Sequence, residues 1–212
     1  MKIVEPSYEI IQPALLDEAT AWKMMRTIEM AGRTCYKSEY KMTNDSAEKF
    51  VRMIIKRGHE SVIEHVSLTV RFVIDRGVSH ELVRHRLCAF SQESTRYCNY
   101  GKDGEVTFVR PPFWKGNDIH AAERTVWREA MTAAEAAYLE LLKLGSKPQE
   151  ARSVLPNSLK TEVVTTANLR EWRHILRLRT SQAAHPQIRQ VMQPLLDELK
   201  QNLAPVFEDI NP

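Results

Sequence analysis

Between Val66 and Ile74 the chain alternates without a slip. Val66, Leu68, Val70, Phe72 and Ile74 are large and apolar, and Ser67, Thr69, Arg71 and Val73 fall between them. A period of two sustained over that length specifies a strand with one buried face. Such a strand needs sheet partners and a covering layer from the rest of the chain. Leu159, Thr161, Val163 and Thr165 repeat the pattern, Val106 to Val109 gives a shorter run cut off by Pro111-Pro112, and Tyr8 to Gln12 suits an edge strand.

The covering layer is written in a helical period. Leu16 to Ala31 carries Ala19, Met24, Met25, Ile28 and Ala31 on one face, with Gly32 as its stop. Asp45 and Glu48 have capping-box spacing ahead of Ala47, Phe50, Val51 and Ile54, and Gly58 terminates that helix. Ile119 to Leu144 is Ala-rich, with Ala122, Val126, Ala130, Ala133, Ala137, Leu141 and Leu144 on its packing side. Pro148 starts a short helix to Val154, and Asn168 with Glu171 caps another running to about Arg179. The last helix begins near Pro186 and shows the stripe Ile188, Val191, Met192, Leu195, Leu199, Leu203. Strands separated by helical blocks predict an α+β fold, a central, mostly antiparallel sheet with helices packed around it. No repeat or Gly/Ser linker divides residues 1–212, so a single domain is expected. The helices carry more apolar surface than three or four strands can cover, which predicts subunit association through helices.

Several classes are excluded. A chain with 43% hydrophobic and 27% charged residues is neither disordered nor collagen-like. No apolar run approaches the ~20 residues that cross a bilayer, and Met1 to Gln12 lacks a signal-peptide layout, so a cytoplasmic protein with no membrane partner is expected. Three cysteines without C-x-x-C spacing indicate neither a disulfide framework nor a zinc ribbon. His59 and His65 are six apart where a zinc helix needs four, and Val62 breaks the reversed H-x-x-E-H pattern, so no metal is expected. Walker A, G-x-G-x-x-G and G-x-S-x-G patterns are missing.

A net charge of +3 does not announce a nucleic-acid binder, but its distribution is informative. Arginine gathers as Arg84, Arg86 and Arg96, then as Arg170, Arg173, Arg177 and Arg179. Planar guanidinium forks suit phosphate and carboxylate oxygens, so the clusters predict an anionic ligand. If Ser79 caps a helix carrying Leu82, Val83 and Leu87, Arg84 and Arg86 lie about 200° apart around it and face different neighbours, with His85 between. Ser91 to Gly104 has no period and is longer than a compact domain keeps without purpose, which marks a functional loop. Cys88 reads as an inert buried thiol; Cys98, near Arg96, stays open as a reactive candidate.

Arg84-His85-Arg86, seven residues, then Ser94 is similar to the R-H-R-x7-S signature of the flavin-dependent thymidylate synthases, and Gln92-Glu93-Ser94-Thr95-Arg96-Tyr97 continues it. Arg33-Thr34-Cys35-Tyr36, Gly58-His59-Glu60-Ser61 and Ile63-Glu64-His65 match upstream. Ala151-Arg152-Ser153-Val154-Leu155-Pro156, Asn168-Leu169-Arg170 and Leu176-Arg177-Leu178-Arg179 match downstream, so the resemblance spans roughly residues 30 to 195. It implies reductive methylation of dUMP to dTMP, with 5,10-methylenetetrahydrofolate as carbon donor, FAD as hydride relay and NADPH as reductant. It also implies a homotetramer with sites at subunit interfaces, and no nucleic-acid partner.

By the same resemblance, Arg179 stabilises charge on the uracil. Ser94, Thr95, Arg96 and Arg152, with Glu81, Arg84, Gln92 and Glu93, bind the nucleotide. Arg84, His85, Arg86, Ser61, Asn168, Arg170 and His174 contact FAD, with His59, Glu64 and Gln92 beside them. Glu81, Gln92 and His174 depart from the residues common at those places in the family, as does Ala184-His185-Pro186-Gln187-Ile188-Arg189. The alternative is a catalytically inactive nucleotide- or RNA-binding protein of the same fold.

Overall fold

The computed structural model describes residues 1–102, 104–114 and 120–211. In chain order the strands are β1 (Lys2–Val4), β2 (Ser7–Gln12), β3 (Ser67–Asp75), β4 (Ala89–Gln92), β5 (Thr107–Val109) and β6 (Lys160–Asn168). The helices are α1 (Glu18–Thr34), α2 (Ser46–Lys56), α3 (Arg76–Leu82), α4 (Ala121–Lys143), α5 (Pro148–Ala151), α6 (Leu169–Arg179), α7 (Pro186–Asn202) and α8 (Ala204–Phe207). Short 3-10 segments occupy Glu39–Lys41, Glu60–His65 and Arg152–Val154. The main sheet is antiparallel, in the order β2-β3-β6-β4, with helices around it as the α+β reading predicts. The alternations hold: Leu68, Val70, Phe72 and Ile74 are buried on β3, as are Thr161, Val163, Thr165 and Ala167 on β6. Among the described residues no helix is long and apolar enough to cross a membrane.

The chain forms two compact units. The first comprises Met1–Ser7, Phe72–Arg84 and Ser91–Val163. In it β1 and β5 pair in parallel, Lys2 opposite Thr107 and Val4 opposite Val109. Val106, Phe108, Met131, Tyr138, Ala151 and Leu159 form its core. The second unit comprises Tyr8–Arg71, His85–Phe90 and Val164–Pro212. The whole predicted stripe of α7, from Ile188 to Leu203, is buried there against the chain's own residues. Trp172 on α6 is fully buried, and its indole N–H donates to the Leu68 carbonyl at 3.1 Å.

Five local expectations are corrected. Gly32 does not end α1; it lies inside the helix, where an added Cβ would stand 2.6 Å from Phe50 Cζ, so glycine serves the close packing of α1 on α2. No side-chain cap bond is made by Asp45, and Ser46 Oγ accepts the Thr43 N–H at 2.9 Å instead. Asp75, not Ser79, caps α3 by accepting the Val78 N–H at 2.7 Å, and the helix ends at Leu82, so Arg84-His85-Arg86 lies on the following turn. The stretch from Ser91 begins inside β4 rather than as loop.

The fifth correction concerns α4. Ile119 lies outside the described residues, and Ala122, Val126, Ala130, Ala133 and Ala137 are exposed in the chain. The helix instead buries Met131, Glu135 and Tyr138, because large side chains have more apolar surface to remove from water than alanine methyls do. Glu135 is tolerated there because its carboxylate accepts the buried Val106 N–H at 2.7 Å.

Candidate functional site

The candidate residues fall into two groups, one in each unit. In the first unit, Glu81 is on α3, Arg84 follows that helix, and Gln92 closes β4. The Gln92 amide donates to Ser79 Oγ (2.9 Å) and Thr161 Oγ1 (3.3 Å), which ties β4 to its neighbours. Glu93 accepts from Lys160 at 3.0 Å. Burial works against the Lys160 ammonium, but hydrogen bonds to Glu162 and Glu93 outweigh it and hold its pKa above the ordinary value.

The chain then folds into a single turn, with the Ser94 carbonyl accepting the Tyr97 and Cys98 N–H groups and Ser94 Oγ accepting the Arg96 N–H at 3.2 Å. Thr95 is buried beneath the turn, and its hydroxyl accepts from Arg152 Nη1 at 3.0 Å. Arg152 and Arg96 are exposed at this turn, Arg152 held by Thr95 and the Arg96 guanidinium 5.4 Å from the centre of the Tyr97 ring. Two exposed guanidiniums at a tight turn suit an anion such as a phosphate. Among the described residues no side chain that could act as a base hydrogen-bonds Ser94, so its hydroxyl is not activated as a nucleophile.

In the second unit the 3-10 turn Glu60–His65, with His59 ahead of it, carries Ser61 and Glu64 and packs against α6. Helix α6 begins as its sequence predicts, with Asn168 Oδ1 accepting the Glu171 N–H at 2.9 Å. The Leu169 N–H donates to the Val66 carbonyl. The second arginine cluster then divides. Arg170 donates to Glu64 at 2.6 Å. Arg173 is fully buried between Glu60 (3.2 Å) and Asp209 (2.7 and 2.8 Å), and it also donates to the Val206 carbonyl. Arg177 reaches Asp209 at 3.2 Å. Arg173 is therefore structural and Arg177 is paired with Asp209 at the surface, so clustering in the sequence does not translate into one group of unpaired guanidiniums.

Arg179 is held differently. Its Nε–H donates at 3.0 Å to Nε2 of His85, which is buried on the turn after α3. His174 stands edge-on to the same ring at 5.7 Å between centroids, and Glu171 Oε1 lies 3.8 Å from His85 Nδ1. Burial, then the Arg179 charge and His174, depress the His85 pKa to about 4, so the imidazole is neutral at pH 7. Ligand atoms of His85, Glu171 and His174 lie within 4.8 Å of one another, a spacing that a metal ion could use. The Arg179 bond argues against one. A guanidinium only donates, so Nε2 must keep its lone pair; the ring proton then sits on Nδ1, and neither nitrogen is left to ligate a cation.

Flavin fits the donor set of this unit. Arg170 is exposed in the first turn of α6, where its guanidinium meets Glu64, and the helix N-terminus capped by Asn168 adds a dipole that suits a pyrophosphate; Arg86 is exposed on the turn after α3. Cys88 is half-buried, and burial with the nearby Glu171 carboxylate pushes its thiol up to about 12, as the inert reading requires. Sequence reading missed Glu171 as a side chain facing His85, because its spacing from Asn168 was fully accounted for by the helix cap. Lys160 and Thr161 were also missed, since β-strand alternation assigned them only to a face.

The fold is that of an α+β protein in which arginines are sorted into ion pairs and exposed guanidiniums whose chemistry suits anions. The chain belongs to the thymidylate synthase complementing protein family, whose model matches residues 17–206. The flavin-dependent thymidylate synthase of Mycobacterium tuberculosis (strain ATCC 25618 / H37Rv) is 38% identical over 200 residues, covering 86% of this chain and 78% of the relative. The flavin-dependent thymidylate synthase of Mycobacteroides abscessus is 36% identical over 202 residues, covering 87% of this chain and 78% of the relative.

Proposed function

We propose that this chain is a flavin-dependent thymidylate synthase, an enzyme of thymidylate biosynthesis that converts dUMP to dTMP. Family membership and relatives at 38% identity over most of the chain support that activity, and nothing favours an inactive nucleotide- or RNA-binding reading. 5,10-Methylenetetrahydrofolate is the carbon donor, NADPH the reductant, and the enzyme works as a cytoplasmic homotetramer with sites at its subunit interfaces.

Arg84, His85, Arg86, Ser61, Asn168, Arg170 and His174 hold FAD, with His59, Glu64 and Gln92 beside it. When bound, the flavin supplies hydride relay. Arg152 and Arg96 grip the nucleotide phosphate, with Ser94 and Thr95 orienting it, and Glu81, Arg84, Gln92 and Glu93 complete the nucleotide contacts. Arg179 stabilises the negative charge that develops across the uracil N3 and its carbonyls as C5 becomes nucleophilic, the role of an oxyanion hole. A thiolate is not needed, in keeping with the raised Cys88 pKa.

The observation that carries the site reading is the Arg179–His85 bond, because a neutral acceptor orients the guanidinium without cancelling its charge. The test is the visible spectrum of FAD-loaded, desalted protein as NADPH is added anaerobically with and without dUMP, followed by product analysis. A retained flavin band that bleaches faster with dUMP, and dTMP formed once folate is supplied, is the expected result. Arg179→Ala should abolish turnover while dUMP still binds; a full rate in that variant refutes the role given to Arg179, and no retained flavin refutes the function.

A further inference from the structure

We propose that Glu171 and His85 are positioning residues for Arg179. The Glu171 carboxylate selects the His85 tautomer, and the Nε2 lone pair of that tautomer fixes the direction of the guanidinium. The inference rests on the role just given to Arg179 and goes one layer behind it.

The argument starts from what an arginine Nε can do. It is a donor at any pH a protein survives, so a ring nitrogen 3.0 Å away must present a lone pair. A neutral imidazole has one lone pair and one N–H, and the proton is therefore on Nδ1. Burial of His85 and the low pKa that follows rule out a doubly protonated ring at pH 7. Nδ1 faces Glu171 Oε1 at 3.8 Å. That is too long for a direct hydrogen bond, yet Glu171 is itself buried, and a carboxylate in a poorly solvated setting attracts the proton toward the near nitrogen. Histidine tautomers are commonly set in this way, by the partner of the nitrogen that does not do the work.

The other tautomer has a definite cost. It would point Nε2–H at the Arg179 Nε–H, two donors face to face, and the arginine would have to swing away. Because a guanidinium is planar, fixing Nε fixes the directions of both terminal amino groups at once. Glu171 and Arg179 stand two turns apart on α6, and His85 approaches from the turn after α3, so one residue of a different segment links both. An aspartate behind a catalytic histidine follows the same logic, acting through tautomer and orientation without touching substrate.

The test combines a direct view of the ring with kinetics. In FAD-loaded protein labelled with 15N-histidine, the His85 resonances, assigned by their loss in His85→Asn, should report an unprotonated Nε2 and a protonated Nδ1. Glu171→Leu should shift the ring toward the Nε2–H form. At saturating dUMP its kcat should fall about ten- to a hundredfold, the scale of a misplacement near 1 Å, with dUMP Kd within about threefold and flavin retained. Glu171→Gln keeps an oxygen acceptor facing Nδ1 and should recover most of that rate. A protonated Nε2 in the active wild-type enzyme overturns the positioning role alone, as does wild-type kcat in Glu171→Leu. The Nδ1–H tautomer in a protein that forms no thymidylate overturns the synthase reading and leaves the Arg179–His85 geometry standing.

Discussion

Replacing Arg173 tests whether the arginines of α6 divide as their contacts indicate. Its side chain is 1% exposed and meets Glu60, both oxygens of Asp209 and the Val206 carbonyl. Arg173→Met keeps much of the apolar stem and removes the charge. The Val206 carbonyl then lacks that donor, at ~1–3 kcal/mol for an unsatisfied buried group. Glu60 and Asp209 are 21% and 43% exposed, so they regain water and add only ~0–1 kcal/mol each. These terms sum to about 1–5 kcal/mol, overlapping the ~3–5 kcal/mol of removing one partner from a buried ion pair.

Asp209→Ala leaves the cation buried with Glu60 as its remaining carboxylate at Nε, and should cost about 2–3 kcal/mol by the same reasoning. The two changes remove one shared interaction, so the double variant should lose less than their sum. Urea unfolding of the FAD-loaded protein followed by circular dichroism measures all three. There is also a pH signature. The Arg173 hydrogen bond holds Asp209 below the ordinary carboxylate value, so the unfolded chain binds more protons in acid. The stabilisation is present above the unfolded value near ~4 and is lost as pH falls through the folded one, and Asp209→Ala should flatten that acid limb. An Arg173→Met protein with wild-type stability but no turnover would refute the division and make Arg173 a ligand-binding residue.

Two further outcomes follow from local geometry. Gly32→Ala should lower the melting midpoint: a Cβ 2.6 Å from Phe50 and 3.1 Å from Val62 adds ~1–3 kcal/mol of overpacking, against ~1 kcal/mol gained in helix propensity, and a more stable variant would mean that Phe50 swings freely aside. Cys88→Ser and Cys98→Ser should each leave thymidylate formation largely intact, measured by product release from folded, flavin-loaded enzyme, and abolition by either would replace the arginine-based chemistry with a thiol nucleophile.

Period and spacing determined a good deal by themselves. Alternation along β3 and β6 named the buried faces, Asn168 opened α6, and the α7 stripe from Ile188 to Leu203 went inside residue for residue, because each rests on chemistry within a few positions of itself. The ordered motifs around Arg84-His85-Arg86 likewise pointed to the family that residues 17–206 match. Tertiary structure decided what depends on distant partners. Glu64 lies 106 residues from Arg170 and His85 lies 94 from Arg179, and no helical or strand period links such positions. Charge neutralisation and imidazole tautomer are properties of a pair, so Arg170, Arg173, Arg177 and Arg179, alike in the sequence, were told apart only when folding supplied their acceptors. The same holds for α4, whose alanine face was legible as a stripe but lost the interior to Met131 and Tyr138, because buried area and not periodicity chooses between two faces.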